Sequence, residues 1–370
     1  MKVPSARLLS IAASNDPAPR PESGALIAAG AIDEAVVRYF MRASLWWQPD
    51  RAVFPPPWIG HIPFAFWLTE AVRPKIFVEL GSHTGNSYCA FLQAVRAFNL
   101  PTACYAVDTW RGDEHTGPYG DEVFQELSSY TASHYGFSSL CRMTFDDALP
   151  CFSDGSIDLL HLDGLHGYDA VVRDFRLWLP KMSRRGVIVL HDIAVRDRDF
   201  GVYRLWEEIQ AQYPSFAFLH SHGLGIVAVG NEPMPPSLAW LLNRAGKEPA
   251  LAADVRFICE TLGQRLVDRF WAEQRRKDLA VAEDRIASLS SDLVTAEQVK
   301  RELDSLRQST TWKVMHPVRQ VLRHMPGLTT AGRLMAQVVW WTVTGQLRRK
   351  LRERRAATPA PPQLDAQNKN

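Results

Sequence analysis

Short C-x-x-C spacings are missing from this 370-residue chain, whose five cysteines are Cys89, Cys104, Cys141, Cys151 and Cys259. That excludes the usual zinc and dithiol motifs, and a reducing, cytoplasmic setting fits the odd number best. A charge excess is lacking as well: 42 Lys and Arg against 40 Asp and Glu leave a net charge of +2, so nucleic acid is not an expected partner. No window supplies the roughly 18 apolar residues that would cross a bilayer; the nearest, residues 334–344 (LMAQVVWWTVT), is too short. Lys2 and Arg7 precede the apolar stretch LLSIAA, but Asn15-Asp16 and three prolines follow where a signal peptide would continue. Residues 1–25 therefore read as a disordered leader.

What is present is a series of short β-branched runs between residues 75 and 230: KIFVELG, ACYAVD, IDLLHLDG, GVIVLHD, then FAFLHSH and GIVAVG. Continuous apolar runs alternating with helical stretches are what a parallel sheet covered on both faces requires. The expected fold is α/β: a Rossmann-like, doubly wound, mostly parallel sheet whose last two runs form an antiparallel hairpin at one edge. Composition sets the boundaries as a helical N-terminal cap over 26–73, the main domain over 74–235 and a helical linker over 236–267. A coiled coil follows over 268–308, then basic helices over 309–356 and a disordered tail over 357–370. In the cap, Trp46, Trp47, Trp58, Phe64, Phe66 and Trp67 offer either packing surface for the main domain or a wall of a substrate pocket.

Beyond the main domain, Leu279, Ala282, Ile286, Leu289, Leu293, Ala296 and Leu303 follow spacings of three and four, with Lys300 in the seam. This heptad pattern fits a homodimerising coil or a solvated helix packed on its own domain. Val338, Val339, Trp340 and Trp341, followed by Arg348, Arg349, Lys350, Arg352, Arg354 and Arg355, fit peripheral contact with an anionic membrane or a solvated basic tail.

Residues 76–87 (IFVELGSHTGNS) run from a strand into a turn and then into an apolar helix. Gly81, Ser82 and Gly85 build a tight βα turn that a ligand can approach, with a helix N-terminus behind it. The spacing is not that of a dinucleotide fingerprint. Glu79 before the turn would repel a pyrophosphate but suits an ammonium, and Asp108 ends the second strand where an acid can accept from ribose hydroxyls. The two acids favour S-adenosyl-L-methionine as cofactor. Phe145 and Asp146 are candidates for its adenine end, the alternative being a helix N-cap by Asp146 or Asp147.

Two further points stand at the carboxyl ends of expected neighbouring strands: Asp163-Gly164-Leu165-His166 and His191-Asp192. Asp163, His191 and Asp192 can converge on one divalent cation, Mg2+ or Mn2+, leaving positions for substrate oxygens and water. A hydroxyl is a poor nucleophile at neutral pH; coordination lowers its pKa, and His166 is the candidate base for its proton. Taken singly, each residue also has a structural reading, as a helix cap or a core histidine.

At these residues the chain resembles bacterial class I S-adenosylmethionine-dependent methyltransferases of the Methyltransf_24 type. It is similar among these to macrocin-type and mycinamicin-type sugar O-methyltransferases and to cephalosporin-hydroxylase-like proteins. The resemblance spans about residues 55–230 and includes VELGSHTGNSY, AVDTWRGDEHTGPYG and HLDGLHGYDAVVRDFRLWLPKMSRRGVIVLHD. It implies metal binding by Asp163 and Asp192 and a base role for His166, although His191 stands where the sugar enzymes have a carboxylate. It also implies a lid over WRGDEHTGPYG, with Trp110, Asp113, His115 and Tyr119 as substrate contacts. The stretch SLRQSTTWKVMHPVRQ resembles the tails of bacterial enzymes that build or decorate surface polysaccharides. The expected activity is O-methylation of a glycan or small-molecule acceptor; the competing expectation is a non-catalytic, cofactor-binding scaffold that recruits partners through its coil.

Overall fold

The computed structural model describes residues 32–113, 117–197, 199–323, 330–343 and 345–356. The expected leader (1–25) and tail (357–370) and His115 lie outside the described residues. Two compact units divide at Lys277 and Asp278.

In the first unit a short helix α1 (Glu34–Tyr39) and α2 (Ile62–Val72) precede β1 (Ile76–Leu80) and α3 (Asn86–Ala97). There follow β2 (Ala103–Asp108), α4 (Asp121–His134), β3 (Ser138–Arg142), α5 (Phe145–Ala148), β4 (Ile157–Leu162), α6 (Tyr168–Trp178) and β5 (Met182–His191). The unit continues with α7 (Val202–Ile209), β6 (Ser215–Phe218), β7 (Leu224–Ala228), α8 (Pro236–Ala239) and the start of α9 (Pro249–Gln308). The strands form one seven-stranded sheet in the order β3-β2-β1-β4-β5-β7-β6. β1 to β5 are parallel and β7 pairs antiparallel with both β5 and β6. The result is the expected Rossmann-like sheet with its edge hairpin.

Alternation along each strand feeds two cores, because successive side chains point to opposite faces. Phe77, Leu159, Val187 and Val189 pack on one face with α2, α3 and the early part of α9. Val78, Leu80, Leu160, Ile188 and Leu190 pack on the other with α6 and α7. On α6, Val171, Val172, Phe175 and Trp178 recur at helical spacing and are its buried apolar stripe.

The N-terminal aromatics divide between core and surface. Phe64, Phe66 and Trp67 are fully buried, and Trp67 Nε1 donates to Phe40 O at 2.8 Å, whereas Trp46 is exposed. Leu251, Val255, Cys259, Leu266 and Phe270 give α9 a buried stripe in the same core. Burial pushes the thiols of Cys89 and Cys104 up to about 12, which makes them inert small apolar groups.

The second unit holds the distal part of α9, then α10 (Thr310–Arg323), α11 (Thr330–Val343) and α12 (Leu347–Ala356). Leu279, Ile286, Leu289 and Leu293 of the heptad seam are exposed along α9. Among the described residues no helix is long and apolar enough to cross a membrane.

One turn in the first unit depends on a glycine outright. Gly85, with φ +83°, precedes α3, and a Cβ there would stand 2.4 Å from Leu127 Cδ1. Gly85→Ala should cost about 1–3 kcal/mol of stability in urea unfolding; a change below about 0.5 kcal/mol would show that the turn tolerates a side chain.

Candidate active site

Strand order reverses between β1 and β4, and open α/β sheets leave their ligand crevice at the carboxyl ends of such a pair. A cleft of about 990 Å³ opens there, at the upper end of the range for sites that enclose small organic ligands. Register decides which residues reach it. Leu80 lies opposite Leu162, and Leu162 opposite Leu190. The next residues, Gly81, Asp163 and His191, therefore stand in one row across three strands. Gly81 has φ +85°, and a Cβ would meet the Asp163 carbonyl oxygen at 2.0 Å. Only glycine lets β1 turn away so close to β4.

Asp108 stitches the turn after β1. Its Oδ2 accepts from Ser82 N and His83 N at 2.9 Å each, and its Oδ1 accepts from Trp110 N at 2.7 Å. These bonds use three of about four acceptor directions of the carboxylate, and Asp108 still lines the cleft with Gly81 and Ser82. Gly85 shapes the turn without lining the cleft.

Glu79 is placed elsewhere. It is fully buried, its Oε1 accepts from Ser82 Oγ at 2.7 Å, and its Oε2 lies 2.8 Å from His161 Nδ1. Trp58 Nε1 donates to His161 Nε2 at 3.2 Å. An indole N–H only donates, so the proton of His161 sits on Nδ1 and points at Glu79. This buried chain joins Trp58, which walls the cleft, to Ser82 in the turn. Sequence reasoning missed His161, although Glu79 and His161 are Cα partners across β1 and β4 and each interrupts an apolar strand.

At the far end Phe145 and Asp146 line the cleft. The N-cap of α5 is Thr144, whose Oγ1 accepts from Asp147 N at 3.2 Å, so neither aspartate caps the helix. Asp146 pairs with Arg173 at 2.5 Å.

The metal-type residues do converge. Asp163, His191 and Asp192 offer ligand atoms all within 4.8 Å of one another. His191 Nδ1 is 3.3 Å from Asp163 Oδ1 and 3.4 Å from Asp192 Oδ1. Consecutive strand residues normally face opposite ways; Asp192 adopts φ +62°, ending β5 in the left-handed region that Asp tolerates. His166 Nε2 lies 2.8 Å from Asp192 Oδ2 and 3.9 Å from Asp163 Oδ1, while its ring stacks on Phe200 at 4.6 Å. His222 Nδ1 is 3.2 Å from Asp192 Oδ1; nothing in its turn sequence marked it in advance.

Charge follows this geometry. Burial opposes a charged His166, but hydrogen bonds to Asp163 and Asp192 outweigh it and push its pKa up to about 10. His191, against the same desolvation, is pushed up to about 9 by Asp192 and Asp163. Both carboxylates are held below the usual range because the imidazoles overcome their burial. His61, wholly buried near His220 and His191, is lowered well below its ordinary value by desolvation and stays neutral.

The lid residues separate. Trp110 is buried, donates from Nε1 to His83 O at 2.9 Å and packs on Phe124 at 5.0 Å, so it props the turn and does not line the cleft. Tyr119 lines the cleft and stacks on His83 at 4.9 Å. The side chain of Asp113, like His115, is outside the described set. Among the described residues seven non-glycines have positive φ, and five of them (His83, Trp110, Asp192, Ser221 and His222) border this site. Such backbone strain gathers where function constrains structure.

Residues 78–193 match the family model Methyltransf_24, a methyltransferase domain. A protein of Sinorhizobium fredii (strain NBRC 101917 / NGR234), "Uncharacterized protein y4gI", is 37% identical over 277 residues, covering 74% of this chain and 30% of that protein. The chain thus spans less than a third of that relative's length. Rv0187 from MTB, in a cofactor-bound crystal structure, is 17% identical with a TM-score of 0.37, covering 54% of this chain and 91% of that one. The O-methyltransferase TomG from Streptomyces achromogenes, in complex with SAM, is 16% identical with a TM-score of 0.36, covering 55% and 92%.

Asp174 supplies a pH-dependent test of the cleft wall. Burial raises its pKa to about 6, against a lowering by Arg173 and a further rise from Asp146. A carboxyl whose folded pKa exceeds its unfolded value near 3.8 loses stability as pH rises between the two. Asp174→Asn should therefore abolish a decline on the order of 2 kcal/mol between about pH 4 and pH 6 in urea unfolding. An identical pH profile in the variant would mean that Asp174 is fully hydrated.

Proposed function

We propose that this chain is an S-adenosyl-L-methionine-dependent O-methyltransferase that uses a divalent cation, Mg2+ or Mn2+, to activate a hydroxyl of a glycan or glycosylated intermediate. The observation that carries the reading is the convergence of Asp163, His191 and Asp192 at the edge of a cleft that the glycine turn of a methyltransferase domain also lines. A hard carboxylate pair with one imidazole suits a six-coordinate ion with room for substrate oxygens and water.

In this reading the turn Gly81–Gly85 and Asp108 would hold the cofactor, in the cleft that Asp163 and His191 also line, and the cofactor would supply the methyl group. When bound, the cation would lower the pKa of the acceptor hydroxyl and offset the two carboxylates that otherwise keep a proton on His166. His166, held by Asp192 and by its stack on Phe200, is the group that takes the hydroxyl proton. Trp58 and Tyr119 wall the acceptor side and exclude water. The glycan acceptor rests on the sequence resemblance to sugar enzymes. A cytoplasmic site of action, pairing of the exposed α9 seam with a second copy, and contact of the basic helices with an anionic membrane belong to the same proposal.

Calorimetry should show binding of S-adenosyl-L-methionine and none of NAD. With labelled cofactor and cell-envelope extract, His166→Ala should lower turnover by about 10²–10⁴-fold with cofactor affinity nearly unchanged. An undiminished rate removes His166 from the base role. Asp163→Asn should abolish stimulation by added metal, and turnover indifferent to a strong chelator defeats the metal-assisted mechanism.

A further inference from the structure

We infer that the cation site selects a transition ion such as Mn2+ or Co2+ over Mg2+, because the Ser221 carbonyl commits His191 to nitrogen ligation through Nδ1. The inference rests on the metal-assisted reading and specifies the identity of the ion.

His191 Nε2 lies 3.2 Å from Ser221 O. A carbonyl oxygen can only accept, so Nε2 keeps its proton, and Nδ1, which faces both carboxylates, is the nitrogen a cation would ligate on displacing the proton there. A carbonyl on the distal nitrogen is the usual device that fixes the tautomer and orientation of a metal-bound imidazole. The same carbonyl takes a second donor, His61 Nε2, at 3.0 Å. His61 is buried, its Nε2 donates to this carbonyl, and its Nδ1 has no hydrogen-bond partner among the described residues. Two imidazoles thus share one acceptor, and neither ring can flip without leaving a buried N–H unbonded.

The carbonyl itself is held tightly. Ser221 and His222 have φ of +50° and +72° in the turn between β6 and β7. Gly60 packs under this turn, where an added Cβ would stand 2.0 Å from Ser221 Oγ; Gly263 of α9 packs on Gly60, where a Cβ would stand 2.0 Å from Gly60 O. The backbones of Gly60 and Gly263 thus meet at a contact only glycine permits, and Gly60 in turn leaves room for the side chain of Ser221, whose carbonyl orients His191.

The donor geometry agrees. Neighbouring vertices of an octahedron with bonds of about 2.1–2.4 Å stand about 3.0–3.4 Å apart. His191 Nδ1 is 3.3 Å from Asp163 Oδ1 and 3.4 Å from Asp192 Oδ1, so the imidazole nitrogen stands from each carboxylate at the spacing of neighbouring ligands, with all three groups offering atoms within 4.8 Å of one another. An imidazole in place of an oxygen donor costs Mg2+ more than it costs Mn2+ or Co2+, since Mg2+ holds oxygen ligands and water by preference.

The test uses the full chain and the metals alone. Mn2+ and Co2+ are each titrated against Mg2+ by calorimetry, and the Mn2+ complex is examined by electron spin echo for coupling to a bound 14N nucleus. The expected result is affinity for Mn2+ and Co2+ at least about tenfold above that for Mg2+, with nitrogen coupling in the wild type. His191→Asp should erase the coupling and reduce the Co2+-to-Mg2+ preference at least about fivefold. His166→Ala and His222→Ala should keep the coupling, which assigns the nitrogen to His191 and holds even if His191→Asp does not fold. Binding of all three ions with equal affinity, or Mn2+ bound without nitrogen coupling, overturns the inference while leaving a metal site in place. No binding of any of the ions at millimolar concentration overturns the metal-assisted reading together with it.

Discussion

The shared register of β1, β4 and β5 is the constraint on which the candidate site depends. Parallel hydrogen bonding places Gly81, Asp163 and His191 side by side because the residues before them are paired. A slip of one residue would turn every apolar side chain of a strand to the wrong core. Both cores are dense: Phe77 and Leu159 face one, Leu80 and Leu162 the other. The geometry at the strand ends is therefore enforced by packing below it. That separation lets the edge carry polar and strained residues at little risk to the fold.

Charge buried near this edge is handled in two ways. Glu79 is hydrogen-bonded locally by His161 and Ser82, inside the sheet and away from the cleft. Its work is to brace Trp58 and the turn through hydrogen bonds, where an unmet buried group would be costly. Asp163 and Asp192 are instead surrounded by His166, His191 and His222, whose attraction keeps both ionised. Asp174 has no comparable set of partners and its pKa rises. Asp174 thus titrates in the opposite sense to Asp163 and Asp192 because its neighbours differ.

The edge hairpin has a second use. β7 lies antiparallel beside β5, with His191 opposite Leu224, so the β6–β7 turn must pass over the strand end that carries the site. Ser221 and His222 arrive there by topology, with Gly60 against the Ser221 side chain and Gly263 of α9 against the Gly60 backbone. The early part of α9 thereby backs, through Gly263 on Gly60, the segment that packs against Ser221, the residue that orients His191.

Much of this was legible in the sequence, for identifiable reasons. The strands from KIFVELG to GVIVLHD carry apolar runs that end in Gly or Asp, and their parallel arrangement and edge hairpin follow from burial on both faces. Asp163, His166, His191 and Asp192 could be singled out because each sits at a strand end, where ligands bind in such sheets. Tertiary structure alone decided the rest. Glu79 turned from the cleft to His161 because its face of β1 packs against α2 and α3, and Trp110 was taken by the His83 carbonyl. Ser221, His222 and His61 joined the site through a turn and a glycine contact between segments 160 residues apart. Periodicity determines which face of an element is buried; the pairing of polar atoms across that face is set only when the elements pack.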